Sequence, residues 1–283
     1  MEATLKSLML PKRPTEVAGF ISLLFMIHWL LFFQVGVVLA EVHSPGSLAY
    51  RLVQLISLIS YVNSMYCIYK LVTVDVTSGS EILPAILPRG WRFCYSCELN
   101  APPRSHHCFT CDKCVLKRDH HCLFTGGCVG HANHRFYLNL VSYGAAGVAV
   151  AGVWLNVPHV VTYFDRDGLK SVPGIIFPFF TWLFGFIDAY SAVLNFTFTA
   201  STISTCLLVV LTARHVTLVS NGQTSREFND ANRDYDLGWE DNVAQTFGDN
   251  WKLAIFTPFV ASVLPSNGIQ FTTKEMREQS KSI

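Results

Sequence analysis

Apolar residues in this chain gather in long uncharged runs; they show neither the three-to-four rhythm of a half-buried helix nor the alternation of a half-buried strand. Residues 17–40 carry no charge over 24 positions, against the roughly 20 a helix needs to cross a bilayer. A cleaved signal peptide would have a shorter core nearer the start, about 7–15 residues, so this run reads as a span. Residues 52–74 form a second run, with Arg51 and Lys70 near its ends, where long basic side chains reach the headgroups. A third covers residues 138–161. From 173 to 212 the apolar stretch is too long for one helix and barely long enough for two. It predicts a span over 189–213, preceded by an interfacial segment over 175–187 that Pro178 and Gly185 interrupt, with Asp188 at the boundary. The pattern predicts an all-α multi-pass membrane protein with four transmembrane helices. Residues 1–16, 75–137 and 214–283 are the polar parts.

Composition agrees: 51% of the 283 residues are hydrophobic and only 14% charged, too apolar for a soluble protein of this size. Polar residues inside the runs read as packing groups: His28 as a hydrogen-bonded residue, Cys67 as a small hydrophobe. Asn195-Phe196-Thr197 matches a glycosylation sequon, but its place in or at the lip of a span favours a buried polar group. Gly144, Gly147 and Ala151 share a helical face, which suits close helix packing or room for a lipid tail.

Charge sets the expected orientation. Seven Lys/Arg lie between 78 and 135, one between 41 and 51, two between 165 and 188, and seven from 214 onward. Positive-inside logic puts the 75–137 region and both termini in the cytosol, where thiols stay reduced and available for metal or nucleophilic chemistry.

That region concentrates the chemistry. Seven of nine cysteines and four of ten histidines fall between Cys94 and Cys128. They are spaced Cys94-x2-Cys97-x9-His107-Cys108-x2-Cys111-x2-Cys114, then Asp119-His120-His121-Cys122-x5-Cys128. Pairs with two residues between them, across a tight turn, aim two ligands at one tetrahedral zinc. With His106 outside the pattern, ten candidate ligands remain, and two Cys3His sites use eight. A surplus Cys beside a surplus His and an Asp is the composition of an activated thiol nucleophile.

The window resembles the cysteine-rich domain of the DHHC protein S-acyltransferases (palmitoyltransferases), matching at every Cys and His position from Cys94 to Cys128. The resemblance implies interleaved sites: one zinc on Cys94, Cys97, His107 and Cys114, a second on Cys108, Cys111, His121 and Cys128. It implies Cys122 as the acylated nucleophile, His120 as its base, and Asp119 as the group orienting His120. It also implies acyl-CoA as cosubstrate, the bilayer and cysteine-bearing membrane-associated proteins as partners, and an endoplasmic reticulum or Golgi address. Thr224-Ser225-Arg226-Glu227 resembles the family's Thr-Thr-x-Glu motif, and Gly238, Asn242, Phe247 and Gly248 its C-terminal element. Residues 253–264 are apolar but short and broken by Pro258, so they should pack or lie at the interface.

Departures are local. Where most members have Pro-Trp and an Asn before the last zinc cysteine, this chain reads Leu123-Phe124-Thr125-Gly126-Gly127, similar to a divergent animal branch. The glycine pair adds backbone freedom near the nucleophile, which bears on rate and acyl preference. The Asp-Pro-Gly motif is replaced by Asp75-Val76-Thr77-Ser78-Gly79, and Tyr137 stands for a Phe. Lys117, Arg118 and Arg135 suit either CoA phosphates or a solvated surface. A catalytically silent zinc scaffold of the same family is the alternative. A RING-like ubiquitin ligase is disfavoured, because it would have no use for Asp119, His120 and Cys122.

Overall fold

The computed structural model describes residues 10–78 and 83–282, so Lys6 and Gly79 lie outside the described residues. It is mostly helical, with four helices long and apolar enough to span a membrane: α1 (Pro14–Val42), α2 (Leu48–Thr73), α3 (His134–Ile176) and α5 (Ala189–Ser220). Short α4 (Pro178–Leu183) lies between the last two. The cysteine-rich region falls between α2 and α3. The chain divides into two compact units. One comprises the described parts of Met1–Leu23, Met65–Leu140 and Ala213–Ile283, the other Leu24–Ser64 and Val141–Thr212.

The second unit is the apolar one. Leu30, Leu39, Val53, Val148, Ala151 and Leu155 form its core, while Phe25, Phe32, Leu55 and Val210 stand exposed, as lipid-facing residues do. Glycine permits close approach here, since a Cβ on Gly152 would sit 2.1 Å from Ser201 Oγ. Gly147 lies against Ser60, so this part of the small-residue face serves helix packing. In both α1 and α3 the helix widens to π-type turns, Leu30–Val38 and Val148–Val153. Beside them the fully buried Asn156 donates to Gln34 Oε1 and to Gly152 O, each at 2.9 Å; such amides must be paired where no water reaches. His28 bonds Leu24 O at 2.7 Å and Tyr61 OH at 3.3 Å. Asn195 is fully buried and donates to Gly174 O.

Helix limits differ from the apolar runs because helices continue past the hydrocarbon boundary. α3 begins at His134 and continues to Ile176, and α5 carries Arg214 and His215 beyond its apolar stretch. The 175–187 segment is shared between the end of α3 and α4, with Gly185 at φ +74° and Phe177, Phe180 and Leu183 exposed.

In the first unit, the cysteine-rich region is built of three antiparallel ribbons. They pair β1 (Arg92–Cys94) with β2 (Leu99–Ala101), β3 (His106–Cys108) with β4 (Lys113–Val115), and β5 (His120–Cys122) with β6 (Gly127–Val129). Each turns through one left-handed residue: Glu98, Asp112 and Gly126 at φ +51°, +52° and +65°. At Gly126 the reason for glycine is doubled, because a Cβ would also lie 2.5 Å from Pro11 Cα.

The C-terminal part adds α6 (Ser225–Asn229), α7 (Trp239–Phe247), α8 (Trp251–Ala254) and α9 (Lys274–Lys281). Leu138, Val219, Val243, Phe247 and Ala254 form its core. Asn242 ties α7 to the end of α5, donating to Ser220 O at 2.8 Å and accepting from Leu237 N at 2.9 Å. The 253–264 stretch leaves α8 as turns and coil and forms no spanning helix.

Candidate active site and metal centres

Strand pairing assembles the metal-type clusters. Residues directly opposite in an antiparallel pair share a face, so the registers His107↔Cys114 and His121↔Cys128 bring each histidine beside a cysteine. The structure gathers Cys94, Cys97, His107 and Cys114 into one group and Cys108, Cys111, His121 and Cys128 into another, donor atoms within 4.8 Å of one another in each. A tetrahedral zinc, with bonds of about 2.3 Å to sulfur and about 2.0–2.1 Å to nitrogen, needs S···S near ~3.8 Å and N···S near ~3.5 Å. Here Cys111 and Cys128 Sγ are 3.7 Å apart, and His121 Nδ1 lies 3.3, 3.7 and 3.7 Å from Cys111, Cys108 and Cys128. His107 Nδ1 is 3.2 Å from Cys97 Sγ. The donors fit two zinc ions.

β5 also explains how adjacent residues serve different chemistry. Successive side chains of a strand point to opposite faces, so His121 turns to the second cluster while His120 and Cys122 turn away from it together. His120 Nδ1 lies 2.7 Å from Asp119 Oδ2, and its ring interacts electrostatically with the Cys122 thiol. Asp119 is inaccessible to solvent, and Ser225 donates to it twice, from N to Oδ1 at 2.8 Å and from Oγ to Oδ2 at 2.9 Å. Tyr137 meets His120 edge-on at 4.7 Å.

Electrostatics favour the charged form of the pair. Burial opposes ionisation of Cys122, but hydrogen bonds to His120 and Thr125 and the imidazole's charge outweigh it, and the thiol's pKa falls below its ordinary value. Burial likewise opposes protonation of His120, yet its bonds to Asp119 and Cys122 hold its pKa up at about 9. Burial of Asp119 is outweighed by the His120 hydrogen bond and nearby imidazoles, keeping the carboxylate ionised. The arrangement can present a thiolate next to an imidazolium.

Some partners give no signal in sequence. His215, near the end of α5, brings Nδ1 to 4.0 Å from Asp119 Oδ2 and its ring to 5.5 Å from His120. As a lone histidine past an apolar run, it carries no pattern. Ser225 lies in a recognisable motif, but its contact with Asp119 is a tertiary fact. The motif is seated by Arg104, which grips Glu227 through Nε (2.7 Å) and Nη2 (2.6 Å), donates to Gly222 O, and lies 4.1 Å from the Tyr235 ring centroid. Thr224 and Glu227 also form a capping box on α6. Lys117 is not a surface cation for phosphates: it is buried, and desolvation with the charge of Arg104 lowers its pKa to about 7 against the pull of Glu227 and Asp119. Arg118 is turned to Cys108 Sγ, and Arg135 to Ser262 O.

Four membrane-type helices interrupted by a cysteine-rich region that fits two zincs define a multi-pass membrane protein with a zinc-binding domain. The model of the DHHC palmitoyltransferase family matches residues 88–232, just over half the chain, and the chain belongs to that family. It is 35% identical over 197 residues to the probable palmitoyltransferase ZDHHC24 of Danio rerio and 33% over 187 residues to that of Homo sapiens. These matches cover 69% and 66% of this chain and 66% of each relative, just under two thirds of their length. The probable protein S-acyltransferase 13 of Arabidopsis thaliana is 31% identical over 195 residues, 67% of this chain and 60% of the relative.

Proposed function

We propose that the chain is a protein S-acyltransferase that moves a long-chain fatty acyl group, palmitoyl in type, from acyl-CoA through an acyl-Cys122 intermediate to cysteines of membrane-associated proteins. The observation that carries the reading is the Asp119–His120 hydrogen bond with Cys122 beside the imidazole, standing apart from eight Cys and His side chains already grouped in two cages.

In the first half, His120 holds the proton of Cys122 while the sulfur attacks the thioester carbonyl. The bond to CoA sulfur breaks, and His120 returns the proton to the departing CoA thiol. In the second half, a substrate cysteine gives its proton to His120 and attacks acyl-Cys122, whose sulfur leaves and is reprotonated. Asp119, held by Ser225, keeps the imidazole in the tautomer and orientation both halves need. Zinc, bound by the two cages, supplies structural cross-links; Cys94, Cys97, His107 and Cys114 hold one ion and Cys108, Cys111, His121 and Cys128 the other. An acyl chain gains about 0.8 kcal/mol per buried methylene, which suits an enzyme whose other parts are lipid-embedded. The excess of basic residues between α2 and α3 supports a cytosolic zinc domain with both termini on that side; an endoplasmic reticulum or Golgi address is what the family resemblance implies.

The test is acylation of the purified full chain by a tagged acyl-CoA. Wild type should carry a hydroxylamine-sensitive label, and Cys122→Ser should lose it while keeping two zincs. His121→Ala, one residue away, should lose metal. An unlabelled wild type with both zincs in place would favour the silent scaffold, and loss of zinc in Cys122→Ser would refute the ligand assignment.

A further inference from the structure

The second cage has a neighbour from outside the cysteine-rich region. His121 turns Nδ1 to three sulfurs, which leaves Nε2 as the nitrogen that carries hydrogen and faces away. Nε2 is buried and lies 3.3 Å from Oε1 of Glu16, in the first turn of α1, within ion-pair distance but without the alignment of a hydrogen bond. Glu16 is 4% exposed. Its other oxygen, Oε2, accepts the backbone N–H of Lys12 and Arg13 at 3.2 and 3.4 Å, as a first-turn carboxylate commonly does. Capping therefore accounts for one oxygen only. A carboxylate withdrawn from water needs a second charged or donating partner, and His121 is the one at hand.

The same stretch of chain covers the turn that follows Cys122. Pro11 lies on Gly126, and Gly19 lies against Leu123 and Phe124. Glu16 is thus one of three points at which the start of α1 touches the β5–β6 ribbon. The first cage offers an internal comparison: His107 Nε2 also faces a carboxylate, but Asp112 is 3.7 Å away and its side chain is 89% exposed. Water can replace Asp112; it cannot replace Glu16.

We propose that Glu16 is a positioning residue of the second metal cage, its buried carboxylate facing Nε2 of His121, favouring the tautomer whose Nδ1 binds metal, and fastening the start of α1 to the strand that bears Cys122. The inference rests on the zinc assignment above. Carboxylate partners of metal-bound histidines raise ligand basicity, and their removal costs about 10- to 100-fold in metal affinity.

The experiment follows zinc release from the purified full chain into a chromogenic chelator, with total zinc measured by elemental analysis. Glu16→Gln keeps the size of the side chain and an oxygen for Lys12 and Arg13 but removes the charge. Wild type should hold two zincs. In Glu16→Gln one zinc should leave about 10- to 100-fold faster while the other keeps its wild-type rate, and Asp112→Asn should release both as wild type does. Unchanged release in Glu16→Gln would overturn the proposal alone. Equal acceleration of both zincs would also overturn it, because loss of a helix cap would loosen the unit as a whole. A wild-type chain with fewer than two zincs would overturn the metal assignment and the proposal with it.

Discussion

Replacing Ser225 with alanine removes one donor from Asp119 and leaves the rest of the site in place. The lost bond is Oγ to Oδ2 at 2.9 Å; the backbone N–H to Oδ1 at 2.8 Å and the His120 contact at 2.7 Å remain. A hydrogen bond to a charged group contributes about 1.5–3 kcal/mol, which as a rate effect is about 10- to 150-fold. Only the part felt more strongly in the transition state than at rest slows the reaction, so a fall in autoacylation of about tenfold is expected. Burial decides that the effect is not smaller, since Asp119 is inaccessible and no solvent can take the vacated position cheaply. Ser225→Thr restores a hydroxyl at the same place and should stay within about twofold of wild type by the same reasoning. The assay is single-turnover labelling of Cys122 with tagged acyl-CoA, with zinc content as the control for folding. Wild-type kinetics in Ser225→Ala with both zincs retained would refute the claim that Ser225 holds Asp119 for catalysis.

Arg104→Met should lower stability by about 3–5 kcal/mol, because it strands the Glu227 carboxylate without its partner; thermal unfolding should show it, and the double variant with Glu227→Met should regain much of the loss. Alkylation of Cys122 by iodoacetamide, followed by mass spectrometry, should fall off at lower pH in wild type than in His120→Ala, since the imidazole holds the Cys122 pKa below its ordinary value and stays protonated up to about 9. In His120→Ala burial is left to raise the thiol's pKa, and labelling should fall about tenfold for each pH unit below that pKa. Gly126→Ala places a side chain at φ +65° and against Pro11, and should cost about 1–3 kcal/mol with a measurable drop in acylation; an unaffected variant would mean that the 123–126 turn is free to rearrange.

How much of this was legible depended on whether the determinant was local. Uncharged runs announced four helices because crossing a bilayer requires an unbroken apolar length, but they could not announce where the helices end: His134 and Arg214 are polar yet helical, since backbone bonding outlasts the apolar run. Cysteine spacing announced metal-binding turns because ligands with two residues between them must share one. The division of ligands between the cages came from family resemblance, and the registers His107↔Cys114 and His121↔Cys128 supply its physical basis. Glu16, Arg104, His215 and the Ser225 contact were invisible because each depends on chain segments far apart in sequence. Lys117 was misread as a surface cation since its burial is a tertiary property.

The period of two along β5 makes the strand and the turn after it differ in what they tolerate. Between Asp119 and Cys122 the number of residues is fixed: one inserted residue would turn Cys122 toward the cage and His121 away from it. At Leu123 and Phe124 the identities are freer, because both side chains are exposed and neither is a cage ligand, whereas Gly126 is held by its backbone and by Pro11 as the turn closes, Gly126 N to Cys122 O at 2.9 Å, with Cys128 opposite His121. The strand therefore fixes parity, and the turn after it fixes reach.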